Sequence, residues 1–130
     1  MKNLILLAML VLGTGLAQAQ KFRIAAYGDT EITVLPGDEI HFEYEGDGTV
    51  KRTDKKLNVY GDITGTLTLP LNMLKKIKTR GDVVINAGTY YTASLKVNVF
   101  GDGELTVYTD NLQQMIIGDG EVTNMKKRKL

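Results

Sequence analysis

The chain has no cysteine, no tryptophan, two prolines and a single histidine, His41, in 130 residues. Without cysteine there is no disulfide, no thiol chemistry, no thiolate zinc site and no lipid attached through an N-terminal cysteine. One histidine leaves no triad or metal cage that requires two. Long hydrophobic runs are also scarce. The unbroken stretch Leu4–Leu12 is too short for a transmembrane helix. With Lys2 ahead of it and the small-x-small site Ala17-Gln18-Ala19 behind, it reads as a secretory signal peptide over residues 1–19, leaving Gln20 as the new N-terminus. Net charge is lacking too. The 111 residues that follow the leader carry 15 basic and 15 acidic side chains, which gives no support for nucleic-acid binding. Of these residues 43 are apolar, enough for a modest core, and the length allows one domain.

What the chain does have is Gly-Asp. Beyond the leader stand twelve glycines and nine aspartates, and seven aspartates directly follow a glycine: Asp29, Asp38, Asp47, Asp62, Asp82, Asp102 and Asp119. Glycine takes positive φ freely and aspartate bonds nearby backbone amides, so the pair is turn chemistry. Between the turns, apolar residues alternate with polar ones. Phe22/Ile24, Ile32/Val34, Ile40/Phe42/Tyr44, Leu57/Val59, Leu67/Leu69/Leu71, Val83/Ile85, Leu95/Val97/Val99 and Leu105/Val107 each read as a strand with one face in a core. Leu71–Ile77, with apolar residues three apart after Pro70, reads equally as a short helix or a wide corner. The fold class expected is all-β, in a single domain over residues 20–123 followed by a basic tail over 124–130.

The turns recur. Gly61, Gly81 and Gly101 stand 20 residues apart, Gly118 follows after 17, and Gly28 and Gly46 precede at intervals of 18 and 15. Flanking positions repeat as well. Val59, Thr79, Val99 and Ile116 stand two before the glycine, and Gly65, Ile85, Leu105 and Val122 stand four after it. Self-similarity near 20 residues predicts a short right-handed β-solenoid, or β-helix, whose coils stack at the strand spacing. A β-sandwich or meander with hairpins of that length is the alternative.

The segments 95–107 (Leu-Lys-Val-Asn-Val-Phe-Gly-Asp-Gly-Glu-Leu-Thr-Val) and 112–123 (ending Met-Ile-Ile-Gly-Asp-Gly-Glu-Val-Thr) resemble coils of the auto-transporter adhesin head GIN domain family, secreted proteins of Bacteroidetes. The resemblance covers residues 57–123, with a fainter echo in 21–50. It implies a β-solenoid-like, exported, adhesin-like protein, and it transfers no catalytic residue. The turns depart from the family's usual Gly-Ser-Gly-Asp, because Val59-Tyr60, Thr79-Arg80, Val99-Phe100 and Ile116-Ile117 precede the glycines here. Family members are also generally longer.

Four groups of residues are candidate sites. In a 20-residue register Asp62, Asp82 and Asp102 form a column that Asp119 extends. Neighbouring carboxylates there repel by roughly 1 kcal/mol in water, which either a Ca²⁺ ion or capping of each turn's own amides would offset. No other cofactor is expected. Arg80-Gly81-Asp82 is an RGD tripeptide, although Gly-Asp is already the repeat's turn. His41 shares a strand face with Glu39, Glu43 and Glu45, a weak metal or proton-binding patch or else a solvated face, and its carboxylates could be nominated for glycoside hydrolysis without any support from their spacing. Tyr60 and Phe100 occupy the same repeat position and point away from Val59 and Val99, with Arg80 and Ile117 in the same column. They offer an outer face on which a sugar or a protein could stack.

The expected function is therefore a non-enzymatic exported binding domain of the periplasm, outer-membrane surface or extracellular space, recognising glycan or protein on an outer strand face, with no nucleic-acid partner and no transmembrane segment. The alternatives are a structural or oligomerisation module that stacks or edge-pairs with other copies, and an enzyme acting on polysaccharide. The basic run Lys126–Lys129 reads as a frayed tail that could touch anionic lipid or polysaccharide.

Overall fold

The computed structural model describes residues 21–128, so the leader expected at 1–19 lies outside the described residues. Those residues fold into ten strands: β1 (Phe22–Tyr27), β2 (Thr30–Pro36), β3 (His41–Gly46), β4 (Thr49–Arg52), β5 (Lys56–Tyr60), β6 (Ile63–Leu69), β7 (Leu74–Arg80), β8 (Val83–Phe100), β9 (Glu104–Ile117) and β10 (Glu121–Asn124). A single 3-10 turn, Met125–Arg128, follows. There is no α-helix among the described residues, and the all-β expectation holds. The strands form one mixed sheet that curls into a half-barrel.

Seven of the nine strand pairings are parallel and two are antiparallel. A simple meander would pair successive strands antiparallel throughout. The long strands β8 and β9 each bend and serve in two rows. The first row runs β5-β1-β7 and continues through the second halves of β8 and β9. The other runs β6-β2, then the first halves of β8 and β9, then β10. Alternation turns Ile24, Ala26, Leu57, Val59, Ile77, Val97 and Val99 of the first row inward, and Ile32, Val34, Ile63, Leu67, Val83, Ile85 and Leu105 of the second. All are buried in one continuous core.

The Gly-Asp turns join the rows, and they stack backbone on backbone. Gly81 and Gly101 have φ of 96° and 106°. A β-carbon on Gly101 would lie 3.0 Å from the Gly81 amide nitrogen, and one on Gly81 would lie 3.3 Å from that of Gly28. Positive φ and close approach both exclude larger residues here. The turn amides tie the layers: Gly61 N donates to Tyr27 O at 2.7 Å, Gly28 N to Arg80 O at 2.9 Å, Gly81 N to Phe100 O at 2.9 Å and Gly101 N to Ile117 O at 2.8 Å.

The stacking order is not the chain order. β1 pairs with both β5 and β7, and β2 with both β6 and β8, so residues 22–36 lie between 56–69 and 74–86. The Gly46-Asp47 turn is also not another layer of the repeat. It joins β3 to β4, which do not pair with each other but lie antiparallel on β6 and β5 and cover one end of the stack. There the Phe42 ring fills the space that a side chain at Gly65 would take, 2.6 Å from where a β-carbon would stand. Ile40, Phe42 and Val50 pack half-buried against the core, whereas Tyr44, assigned inward by alternation, is half exposed.

The ambiguous segment after Pro70 is a corner followed by β7. Phe22 faces Leu74 and Arg23 faces Lys76, so Lys75 is an extra residue that bulges from the strand. The bulge puts buried Leu74 and Ile77 three apart, which is the spacing that resembled a helix, and Leu71 stays half exposed. Tyr90 locks the corner. Its buried hydroxyl donates to Pro70 O and accepts from Met73 N at 2.9 Å and Leu74 N at 3.1 Å. Burial pushes the phenol's pKa up, so it stays protonated.

Two substitutions probe this packing by thermal melt. Tyr90→Phe strands a carbonyl and two amides and should destabilise by about 1–3 kcal/mol, each kcal/mol lowering Tm by about 4–8 °C in a domain of this size. Thr79→Val should do the reverse and raise Tm, because the Thr79 hydroxyl is buried with no hydrogen-bond partner among the described residues.

Candidate functional site

In-register pairing turns each outer face into rows. On the β5-β1-β7-β8-β9 face, Lys56, Arg23, Lys76, Lys96 and Gln113 lie side by side. A second row is Asn58, Ala25, Lys78, Asn98 and Met115, and a third is Tyr60, Tyr27, Arg80, Phe100 and Ile117. These fifteen positions include six basic residues and no acidic one. Lys21 and the bulged Lys75 add to the same side. Burial lowers the Lys75 pKa, and the charge of Lys21 lowers it further.

Two open grooves run across this face. One of about 240 Å³ lies among Arg23, Ala25, Lys56, Asn58, Lys76 and Lys78. The other, of about 360 Å³, lies among Lys21, Lys75, Ser94, Lys96, Asn111 and Gln113.

The opposite face is acidic. Glu45, Thr64, Glu31, Val84, Glu104 and Glu121 form one row, and Glu43, Thr66, Thr33, Asn86, Thr106 and Thr123 the next. The chain is close to neutral as a whole and strongly polarised across its thickness.

The residues singled out from sequence fall as follows. Tyr60 and Phe100 do share a row on the outer face, Tyr60 exposed and Phe100 half-buried. Tyr60 stacks on Tyr27, with centroids 5.2 Å apart and planes 9° from parallel, and the Arg80 guanidinium lies 5.4 Å from the Phe100 centroid. Each ring therefore already gives part of its surface to a neighbour.

Arg80 and Asp82 of the RGD tripeptide are exposed on either side of the Gly81 turn. Asp62, Asp82, Asp102 and Asp119 occupy equivalent turns, but the 28–29 turn stands between those of Asp62 and Asp82, so the column runs Asp62, Asp29, Asp82, Asp102, Asp119. No three His, Cys, Asp or Glu side chains converge to hold a metal ion among the described residues. His41 is exposed, with Nε2 3.1 Å from the Glu43 carboxylate. The basic end begins as the 3-10 turn, where Lys126 Nζ lies 2.8 Å from Asp110 Oδ1 and the Tyr91 hydroxyl donates to the same carboxylate. Lys126 and then Tyr91 hold the Asp110 pKa below the usual carboxylate range.

Sequence reasoning missed Tyr27 and the basic row. Both signals are present: Tyr27 precedes Gly28-Asp29 as Tyr60 precedes Gly61-Asp62. A basic residue also stands five positions before each of Gly28, Gly61, Gly81 and Gly101, namely Arg23, Lys56, Lys76 and Lys96. A scan against protein-family models matched none, and a search of curated proteins returned no match. No helix among the described residues is long and apolar enough to cross a membrane.

Proposed function

We propose that this chain is a short right-handed β-solenoid of about 20-residue coils and works as a non-enzymatic, exported binding domain. It is adhesin-like in the sense implied by its resemblance to the GIN head family, and it recognises glycan or protein on an outer strand face, in the periplasm, at the outer-membrane surface or outside the cell. The parallel, in-register rows and stacked turns support the solenoid reading. One observation carries the binding reading: the aromatic row Tyr60, Tyr27 and Phe100, joined by Arg80, lies beside open grooves on a face that no other part of the described chain covers.

The double variant Tyr60→Ser/Phe100→Ser should fold, with melting close to wild type, and lose at least tenfold in signal on a glycan array. Unchanged signal would remove this face from recognition.

The second reading, a structural module that self-associates, has its own support in β9. Leu112–Ile117 carries no charge, the outer side of 113–117 has no strand partner, and Met115 and Ile117 are 51% and 57% exposed. Uncharged, open edges of that kind pair readily with other strands. If it operates, light scattering after size exclusion will show a dimer or larger species that Ile117→Lys reduces to monomer. A wild-type monomer at tens of micromolar rules it out.

A further inference from the structure

The chemistry of the basic face narrows the ligand. Lys56, Arg23, Lys76 and Lys96 stand on four adjacent strands. At the usual spacing of about 4.8 Å they form a line about 14 Å long. Four cations at that spacing repel one another, and no carboxylate on the face offsets them. Such a line favours a ligand whose own negative charges repeat along a chain, because each added anion relieves repulsion already present in the free protein.

What flanks the line separates one class of polyanion from another. Asn58 and Asn98 lie in the next row, and Ser94, Asn111 and Gln113 line the second groove. Amides and hydroxyls of this kind both donate to and accept from sugar hydroxyls. A single-stranded nucleic acid needs free aromatic faces on which its bases stack. The cation line itself holds no aromatic ring, and the three rings two rows away give part of their surface to one another and to Arg80, too few free faces for a run of bases. An anionic membrane would be served by cations alone and makes no use of a row of amides.

We propose that this face binds a linear acidic polysaccharide, with carboxylate or sulfate groups on the Lys56–Arg23–Lys76–Lys96 line and ring hydroxyls on the neighbouring amides. The inference rests on reading the outer face as a glycan-recognition surface and specifies the glycan's charge.

The test uses the full exported chain and four immobilised probes: polygalacturonate, dextran sulfate, neutral pullulan and single-stranded DNA, with vesicles of mixed zwitterionic and anionic phospholipid as a fifth arm. Polygalacturonate or dextran sulfate should bind, more weakly as salt rises, and Lys76→Glu/Lys96→Glu should weaken binding at least tenfold. Glu31→Lys/Glu104→Lys, on the opposite face, should not weaken it. Circular dichroism and melting confirm that each variant is folded.

Binding to polygalacturonate or dextran sulfate that survives the Lys76/Lys96 reversal overturns the proposal, as does tighter binding to DNA or to vesicles than to either polysaccharide. Pullulan binding that survives the same reversal overturns the charge assignment and leaves glycan recognition standing. Failure to bind any polysaccharide overturns both.

Discussion

The structure depends on one constraint, the contact between successive turn backbones. Glycines at 28, 61, 81, 101 and 118 all have positive φ, and a β-carbon on Gly28, Gly81, Gly101 or Gly118 would lie within about 3.5 Å of the next turn's backbone. Turns held that close cannot slide past one another by a residue. A slip of one would also flip every side chain of a strand between core and solvent. The register fixed at the turns therefore propagates outward, and each side chain's environment follows from its distance to the nearest glycine. Before Gly28, Gly61, Gly81 and Gly101, positions two and four ahead of the turn are core and positions one, three and five are on the outer face, whereas at the open edge before Gly118 Gln114 is exposed and Ile116 half-buried.

That rule explains why much of the fold can be read from the chain. Val59, Val97, Val99, Ile85 and Leu105 are buried as alternation requires, and Tyr60 and Phe100 face outward. The rule fails where its premise fails. At β3 the chain runs backwards as a cap and has solvent on one side, so Tyr44 is half exposed although it alternates like a core residue. At Lys75 a bulge adds one residue and converts a period of two into an apparent period of three. The order of the layers was not legible at all. Equal spacing between glycines identifies equivalent turns but not which of them touch, and the segment 22–36 fits between two later ones as well as before them.

The candidate surface was half legible for a different reason. Net charge averages over position, and equal numbers of acidic and basic residues conceal any separation between them. Once register is known, residues five before the glycine form a basic row. Those three after it contribute Glu31, Glu104 and Glu121 to the acidic side. Neutral composition excluded nothing about polyanions, because a sheet sorts charges by the parity of their distance from a turn. The electric field outside such a molecule has opposite sign above its two faces, and a charged partner approaching it is oriented before contact.

The interior position of residues 22–36 sets the order in which the molecule can be completed. A chain that emerges N-terminus first presents β1 and β2 early, yet their partners on one side end at Leu69 and on the other at Asn86. One edge of that first hairpin-free pair of strands stays unsatisfied until residues 56–69 follow, and the other until residues 74–86 do. The stack then closes around its own beginning, leaving the N-terminal strand held on both sides. A protein assembled this way cannot peel open from its N-terminal end, so β1 separates from the sheet only when neighbours on both flanks give way.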